Sequence, residues 1–441
     1  MEVAVIGCGY VGLITGVGLA SKGHKVVVVD IDSLRVEKVK KGIVPFHEPG
    51  VAEALKKCLK EGNLEVSSSI KDTSSCEVVL ICVQTPPKSN GAINLQMLGK
   101  AARTLATVFS KNPRLRTVVI RSTVIPGTTE KFITPIFQKI SKKTHIAFNP
   151  EFLREGSALS DFLNPDRIVI GTHSSHASKV LRQLYSPFNV SIIVVTPSTA
   201  ELSKYASNTF LATLVSFSNE IARVCEQTPN TDVEDVLGII HLDKRFKANG
   251  EAPLGILSYL KAGCGFGGSC FPKDLSALIA YASSKGEDPM LLKAVQAINT
   301  GQASRVVDMV SNALGGLDKR KIAVLGVAFK GGTDDLRESP GLRIVDELLK
   351  GKANVLIYDP LVEEANLKNY EEKGVIIAPT LKIAVEGANA CVITSNAPEF
   401  IKLKHWKRLS GNETVLIDGR RILNSSVNED KYYAIGRAKP H

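Results

Sequence analysis

The sequence predicts an α/β chain in which two parallel-sheet domains flank a long helix and a helical linker. Three observations carry that expectation. Short apolar runs alternate with amphipathic helical stretches through the first half of the chain, which is the pattern of strand–helix–strand units. Residues 199–227 contain no proline or glycine and repeat their apolar side chains at helical spacing. A second alternation of strands and helices begins at Lys321. The expected domains are 1–197, 198–314 and 315–441.

Composition sets the limits. The chain has 441 residues, of which 44% are hydrophobic and 22% charged, a globular rather than a disordered balance. Aromatics make up only 6%, so the core should be mainly aliphatic. The net charge is +11, yet no run of five basic residues occurs, which points to anionic metabolites rather than nucleic acid. The eight cysteines show no CxxC pair and no zinc spacing, so no metal is expected. Cys8, Cys82 and Cys391 lie in or beside apolar runs and read as small buried hydrophobes, as suits a reducing cytosol. The N-terminus lacks a signal-peptide pattern, and no apolar window reaches the ~18 residues of a membrane span.

The first expected strand, 3–6, leads into Gly7-Cys8-Gly9-Tyr10-Val11-Gly12, a helical stretch to Ser21, and a second strand, 25–29, ending at Asp30. In this setting GxGxxG is a dinucleotide-binding turn of the Rossmann type: its glycines let backbone N–H groups approach a pyrophosphate at a helix N-terminus. Asp30 would accept from ribose hydroxyls, which favours NAD; Arg35 nearby leaves NADP open. Further strands are expected at 78–83, 117–120, 145–148, 167–170 and 191–195. Ligands of such sheets bind at strand C-termini, where the sequence sets Thr85-Pro86, Ser122-Thr123 and Asn149-Pro150-Glu151. Ser198-Thr199-Ala200-Glu201 fits a capping box for the long helix, and helical sequence continues to about 242 and from 274 to 314. In the second alternation, strands are expected at 322–327, 354–358, 390–394 and 414–417, with a helix at 341–349. There Gly326-Val327-Ala328-Phe329-Lys330 replaces a full glycine motif, so this second Rossmann-like unit should hold a different nucleotide.

Several residues can carry chemistry. Lys204 and Asn208 are spaced to share one helix face, which is either functional or a solvated polar stripe. Glu151 and Glu155 share a face if the chain turns helical after Pro150; otherwise they are ordinary helix-start acids. Cys270 lies in Gly263-Cys264-Gly265-Phe266-Gly267-Gly268-Ser269-Cys270-Phe271-Pro272-Lys273-Asp274, a glycine-rich loop running into a helix. A helix N-terminus and Lys273 both favour a thiolate, against the alternative of a buried structural cysteine. Lys330 with residues 333–339, and Arg420-Arg421, suit a phosphate or carboxylate, against a surface charge cluster.

Together these segments resemble the UDP-glucose dehydrogenase family of nucleotide-sugar dehydrogenases. The motifs are VIGCGYVG, Ser122-Thr123-Val124, NPEFLREGSA, PDRIVIG, AELSKYASN, GFGGSCFPKD, AFKGGTDDLRESP and IDGRRIL, in family order along nearly the whole chain. The resemblance implies a two-step, four-electron oxidation of a sugar primary alcohol to a carboxylate with NAD, through a thiohemiacetal and thioester on Cys270. Lys204 and Asn208 would stabilise oxyanions, and Asp274 would move protons through a water. Glu151, more directly than Glu155, would assist thioester hydrolysis. Thr123 would touch the cofactor or a catalytic water. The cofactor site would comprise Gly7, Gly9, Tyr10, Val11, Gly12, Asp30, Arg35, Thr85, Thr123 and Glu155, with Lys273 and Arg337 also in contact with NAD. The sugar-nucleotide site would take Glu151, Phe152, Leu153, Arg154 and Glu155 from one segment and Lys204 and Asn208 from the long helix. Tyr259, Leu260, Lys261, Ala262, Gly263 and Gly267 would line it, with Phe329, Lys330 and Arg420.

Arg245 matches a family arginine that reaches a partner subunit's substrate. It stands farther from Cys270 than the family pattern, and residues 247–257 read as an insertion. PDRIVIG favours UDP-glucose; GDP-mannose or a UDP-N-acetylhexosamine is the alternative. A non-catalytic nucleotide binder is opposed by the presence of Cys270, Lys204 and Asn208, and an NAD-independent thiol hydrolase by GxGxxG and Asp30. A cytoplasmic homodimer without membrane or nucleic-acid partners is expected.

Overall fold

The computed structural model describes residues 1–140, 143–248, 252–423 and 430–438. The chain forms two compact units, Met1–Ser207 and Asn208–His441. The division falls inside the helix Pro197–Glu226.

Among the described residues the first unit has eight strands: β1 (Glu2–Ile6), β2 (Lys25–Val29), β3 (Leu64–Ser67), β4 (Val78–Ile81), β5 (Arg116–Ile120), β6 (Thr144–Phe148), β7 (Ile168–Gly171) and β8 (Ile192–Val195). Their order is β3-β2-β1-β4-β5-β6-β7-β8. Both faces are covered: Val3 and Val5 of β1 enter one apolar cluster, while Ala4 and Ile6 enter another. That is the doubly wound arrangement the strand alternation predicts.

Two features depart from the expectation. β3 was not foreseen, because Leu64-Glu65-Val66-Ser67 alternates buried and exposed residues instead of forming an apolar run. β6 and β7 pair antiparallel, Phe148 opposite Gly171, so the last two strands run against the first six. A parallel return needs a crossover along the sheet. The segment between them offers only the six-residue helix Ala158–Leu163.

The long helix begins at Pro197, earlier than predicted, and the capping box does not form. Thr196 supplies the cap, its hydroxyl accepting from Thr199 N at 3.2 Å, and Pro197 suits the first helical position because it has no N–H to satisfy. Glu201 is fully buried and instead accepts from Gly127 N at 2.6 Å and Thr129 N at 2.8 Å. Burial pushes its carboxyl above the usual range despite these bonds.

In the second unit the helical stretch predicted at 274–314 is three helices, Phe271–Ser284, Met290–Thr300 and Gln302–Leu314, after the shorter helix Val233–His241. The stretch read as an insertion contains a short ribbon pairing β9 (Lys247–Ala248) with β10 (Ala252–Pro253); residues 249–251 lie outside the described residues. Six parallel strands follow among the described residues: β11 (Lys321–Leu325), β12 (Asn354–Tyr358), β13 (Ile376–Ile377), β14 (Ala390–Ile393), β15 (Val415–Asp418) and β16 (Tyr432–Ala434), ordered β13-β12-β11-β14-β15-β16. β13 and β16 are too short to show a period and were not foreseen. Among the described residues no helix is long and apolar enough to cross a membrane.

Candidate active site

The glycine turn sits at the tip of β1. Gly7 takes φ +103°, donates to Val29 O at 2.7 Å, and has no room for a side chain because a Cβ would meet Cys82 O at 2.9 Å. At Gly12 a Cβ would lie 1.8 Å from Gly7 O, so turn and helix touch through bare backbone. At Gly9, by contrast, a Cβ would meet nothing within 4 Å. The helix Tyr10–Ser21 starts there with no side-chain cap and no acid in its first turn. No side chain caps its N-terminal amides, and their dipole suits a pyrophosphate.

Asp30 is buried at the tip of β2. It accepts from Cys8 N at 2.6 Å and Asp32 N at 2.9 Å, and Arg35 pairs with it at 3.4 Å. These bonds hold the carboxylate while leaving acceptor capacity for ribose hydroxyls. Arg35 also pairs with Asp32 at 3.5 Å, so two carboxylates offset the cation that left NADP open. Thr85 is buried and donates to Thr123 O at 2.8 Å, tying together the tips of β4 and β5. Thr123 itself is half-buried.

The segment after β6 is not helical. Residues 151–154 are irregular, 155–157 form a turn, and the helix starts only at Ala158, so Glu151 and Glu155 do not share a helix face. Carboxylates divert the amides a helix would need: Glu151 Oε2 accepts from Leu153 N at 2.7 Å and Asp161 Oδ2 from Arg154 N at 2.9 Å. Gly156 then turns left-handed at φ +85°.

Glu151 meets Lys204 instead. Glu151 Oε1 and Lys204 Nζ are 2.8 Å apart, both side chains almost wholly buried, which rules out the solvated-stripe alternative for Lys204. Burial alone would raise the Glu151 carboxyl, but the Lys204 charge and hydrogen bond, the Leu153 amide and the Arg121 charge outweigh it and hold the group below its ordinary value. Lys204 Nζ also lies 5.6 Å from the Phe152 ring centre, and the Arg167 guanidinium 4.2 Å from it. Leu153 is half-buried, whereas Arg154 is exposed and closes a forked pair on Asp161 at 2.6 and 3.1 Å.

Two residues of this unit escaped the sequence reading. Glu48 accepts from Tyr10 Oη at 2.5 Å and from Gly156 N and Ala158 N at 2.7 Å, joining the glycine turn to the NPEFLREGSA segment. No local pattern marks it. Arg121 is buried, donates to Thr15 Oγ1 at 3.0 Å and to Asn149 Oδ1, and borders a cavity of about 120 Å³ with Asn149, Glu151 and Tyr185. A cation directly after an apolar strand was the available signal.

In the second unit, Cys270 caps the helix Phe271–Ser284, with Pro272 in the first turn and Asp274 N donating to Cys270 O at 2.8 Å. Cys270 is half-buried while the other seven cysteines are buried. Burial pushes the thiols of Cys8, Cys82 and Cys391 up to about 12 and that of Cys264 to about 11. Asp274 is fully buried, accepts from Asn208 Nδ2 at 2.6 Å and pairs with Lys273. Asn208 is thus also buried, and the acid, amide and cation form one cluster within a helical turn of the thiol.

Gly267 lies where a Cβ would be 2.2 Å from Glu338 O, and a Cβ on Gly268 would meet the Phe329 ring at 2.8 Å. Arg420 donates to Thr394 O at 2.7 Å, Phe329 O at 2.9 Å and Gly265 O at 3.4 Å, so three of its five N–H groups organise backbone. Burial lowers its pKa. Arg337 forks onto Asp335 at 2.7–3.0 Å, and Lys330 Nζ sits 5.7 Å from the Phe329 ring centre. Tyr259 is half-buried, Leu260, Ala262 and Gly263 buried, and Lys261 exposed. Arg245 is 85% exposed on its side chain and pairs with Asp243 at 2.5 Å.

Comparison with known proteins agrees with this architecture. Residues 1–189 match the NAD binding domain of the UDP-glucose/GDP-mannose dehydrogenase family, 198–301 its central domain and 323–425 its UDP binding domain. A UDP-glucose 6-dehydrogenase of Bacillus subtilis is 38% identical, covering 99% of this chain and 98% of the relative. One from Pseudomonas aeruginosa is 37% identical over 96% of this chain and 94% of its own. The solved UDP-glucose dehydrogenase of Pyrobaculum islandicum superposes with TM-score 0.92 at 35% identity, covering 99% and 98% of the two chains. The UDP-D-ManNAc dehydrogenase of Pyrococcus horikoshii superposes with TM-score 0.85 at 31% identity, covering 99% of each. The chain belongs to the UDP-glucose/GDP-mannose dehydrogenase family.

Two outcomes follow from the first-unit geometry. Asp30→Ala should weaken NADH binding about tenfold in a fluorescence titration, by removing a charged acceptor for ribose hydroxyls; an unchanged affinity would remove Asp30 from the cofactor site. Lys204→Ala should cost roughly 10²–10³ in kcat. With the cation gone, burial lifts the Glu151 carboxyl, so the acid limb of the pH–rate profile should move to higher pH. A loss confined to KM, with the limb unmoved, would make Lys204 a binding residue only.

Proposed function

We propose that this chain is an NAD-dependent UDP-glucose 6-dehydrogenase, oxidising UDP-glucose to UDP-glucuronate in two steps on one thiol. The observation that carries the reading is Cys270: a single half-buried thiol at a helix start, beside a buried Asp274–Asn208 pair, in a chain similar to UDP-glucose 6-dehydrogenases over its full length. The glycine turn and Asp30 would hold NAD, which supplies the hydride acceptor for both oxidations.

The residues divide the work by charge. Lys204 and Asn208 stabilise the oxygen of the alcohol and then of the adduct, as a cation and a neutral donor. Cys270 Sγ attacks the aldehyde carbon, forming a C–S bond while the carbonyl oxygen takes a proton relayed through water by Asp274. Loss of a second hydride from that carbon, with the hydroxyl proton passing back to the water held by Asp274, leaves a thioester. Glu151, held ionised by Lys204, takes a proton from the attacking water; the C–S bond breaks and the thiol is restored. Per sugar, one water is consumed, and one carboxylate, two NADH and three protons are formed. The covalent adduct keeps the half-oxidised carbon in place, so no free aldehyde has to leave and rebind. Thr123 and Glu155 border the cofactor side of this chemistry. Lys273 and Arg337 contact NAD, and the 259–263 segment with Gly267, Phe329, Lys330 and Arg420 holds the UDP-sugar.

The assembly is a homodimer in this reading. Phe210, Phe217 and Val224 are 54%, 42% and 59% exposed and recur every seven residues along one helix, an apolar stripe that a second copy would cover. The free, buried cysteines suit the cytoplasm.

NADH formed per UDP-glucose consumed should be two, and Cys270→Ser should bind UDP-glucose while losing nearly all turnover. Wild-type turnover in that variant, or faster oxidation of GDP-mannose or a UDP-N-acetylhexosamine, would send the assignment elsewhere. Phe217→Asp should shift the mass measured by light scattering from a dimer to the 47.4 kDa monomer; an unchanged dimer would place the interface on another surface.

A further inference from the structure

The loop that delivers Cys270 is buried from Gly263 to Gly268, yet belongs to no strand or helix that could satisfy its backbone. Side-chain amides do so instead. Asn219 Oδ1 accepts from Gly263 N at 2.8 Å, and Gln302 Nε2 donates to Gly263 O at 2.8 Å. Asn299 addresses a single residue twice: its Oδ1 accepts from Phe266 N at 2.7 Å and its Nδ2 donates to Phe266 O at 3.0 Å. The three amides are 0%, 1% and 8% exposed for Asn219, Gln302 and Asn299. They come from three separate helices, Pro197–Glu226, Met290–Thr300 and Gln302–Leu314.

Asn299 therefore acts on Phe266 as a neighbouring strand would, offering one donor and one acceptor to one residue. The loop sequence is fitted to it. Gly265 takes φ +95°, and a Cβ there would stand 2.5 Å from Asn299 Oδ1, so any side chain at 265 displaces the clamp. Beyond the clamp, Gly268 N donates to Arg337 O at 2.9 Å before the chain reaches Cys270.

We propose that Asn299, seconded by Gln302 and Asn219, is a positioning residue for the Cys270 thiol: the amide clamp fixes the glycine loop in advance, so that no ordering is needed when the sugar nucleotide arrives. This rests on Cys270 being the nucleophile. A thiol displaced by about an ångström loses on the order of 10²-fold in rate even where binding survives.

The test is Asn299→Asp in the full-length chain. The carboxylate keeps an acceptor for Phe266 N–H but sets an oxygen against the Phe266 carbonyl. Two quantities are read: the kcat and KM for UDP-glucose, and the rate at which iodoacetamide alkylates Cys270 with no NAD or sugar present. The other seven cysteines are buried, so the fast-reacting thiol is identified by its loss in Cys270→Ser. Expected are a fall in kcat of about tenfold or more, a KM within about threefold of wild type, and an alkylation rate changed at least about threefold. A purely structural asparagine would lower the melting temperature and leave the folded protein's alkylation rate alone; a wild-type alkylation rate overturns the proposal. Gly265→Ala displaces the same amide by a separate route and decides the matter where Asn299→Asp does not fold. The underlying reading fails separately, through retained turnover in Cys270→Ser.

Discussion

Each sheet depends on one constraint: where a strand stops and the chain turns toward a helix, the turn's N–H groups need acceptors that the helix does not provide. Both units meet it with a glycine and an aspartate. Gly7 N donates to Val29 O and Gly326 N to Tyr358 O, each at 2.7 Å. Asp30 then accepts from Cys8 N at 2.6 Å, and Asp359 from Ala328 N at 2.9 Å. The resemblance stops there, and the difference is chemical. In the first unit the helix begins at Tyr10 with no side-chain cap. In the second it begins at Pro340, where Ser339 Oγ accepts from Leu342 N at 3.3 Å and donates to Val327 O at 2.6 Å. The second helix start is closed by its own chain, and Asp359 has its oxygens occupied by backbone amides. The same local solution leaves the helix start without a side-chain cap in one unit and with one in the other.

Buried polar groups throughout the molecule serve the backbone before they serve chemistry. Glu201 holds the amides of Gly127 and Thr129, Glu48 those of Gly156 and Ala158, and Asn299 both polar groups of Phe266. These backbone groups lie in turns, at helix starts or in a loop, where no ladder or helical turn supplies a partner, so side chains do. The Glu151–Lys204 pair is of another kind. A buried ion pair is a poor source of stability, because the desolvation of both charges offsets their attraction. What it provides is a carboxylate kept ionised and an ammonium kept oriented in a place that water barely reaches.

The strands, the glycine turn and the long helix were legible because each rests on residues within one stretch of chain. Alternating apolar runs mark strands buried on both faces, and an acid closing the second strand marks the ribose side of a dinucleotide turn. Failures occurred where the pattern was too short or too polar: the half-polar edge strand Leu64–Ser67 and the brief strands Ile376–Ile377 and Tyr432–Ala434. They also occurred where a distant group outcompeted a local one. Glu201 had a local capping role available and went to a turn more than seventy residues away. The amides after Glu151 had a helix available and went to Glu151 and Asp161.

By itself, then, the sequence determined the two sheet units, the glycine turn at the tip of the first strand, and the glycine loop that carries Cys270, since spacing and residue type act within a few residues. Only the tertiary structure decided which buried polar groups meet: Glu151 with Lys204, Asp274 with Asn208, Asn299 with Phe266, Glu48 with Tyr10. The physical reason is that a buried donor or acceptor must find a partner somewhere. Many positions along the chain could meet that need, and the choice among them is made when the elements pack.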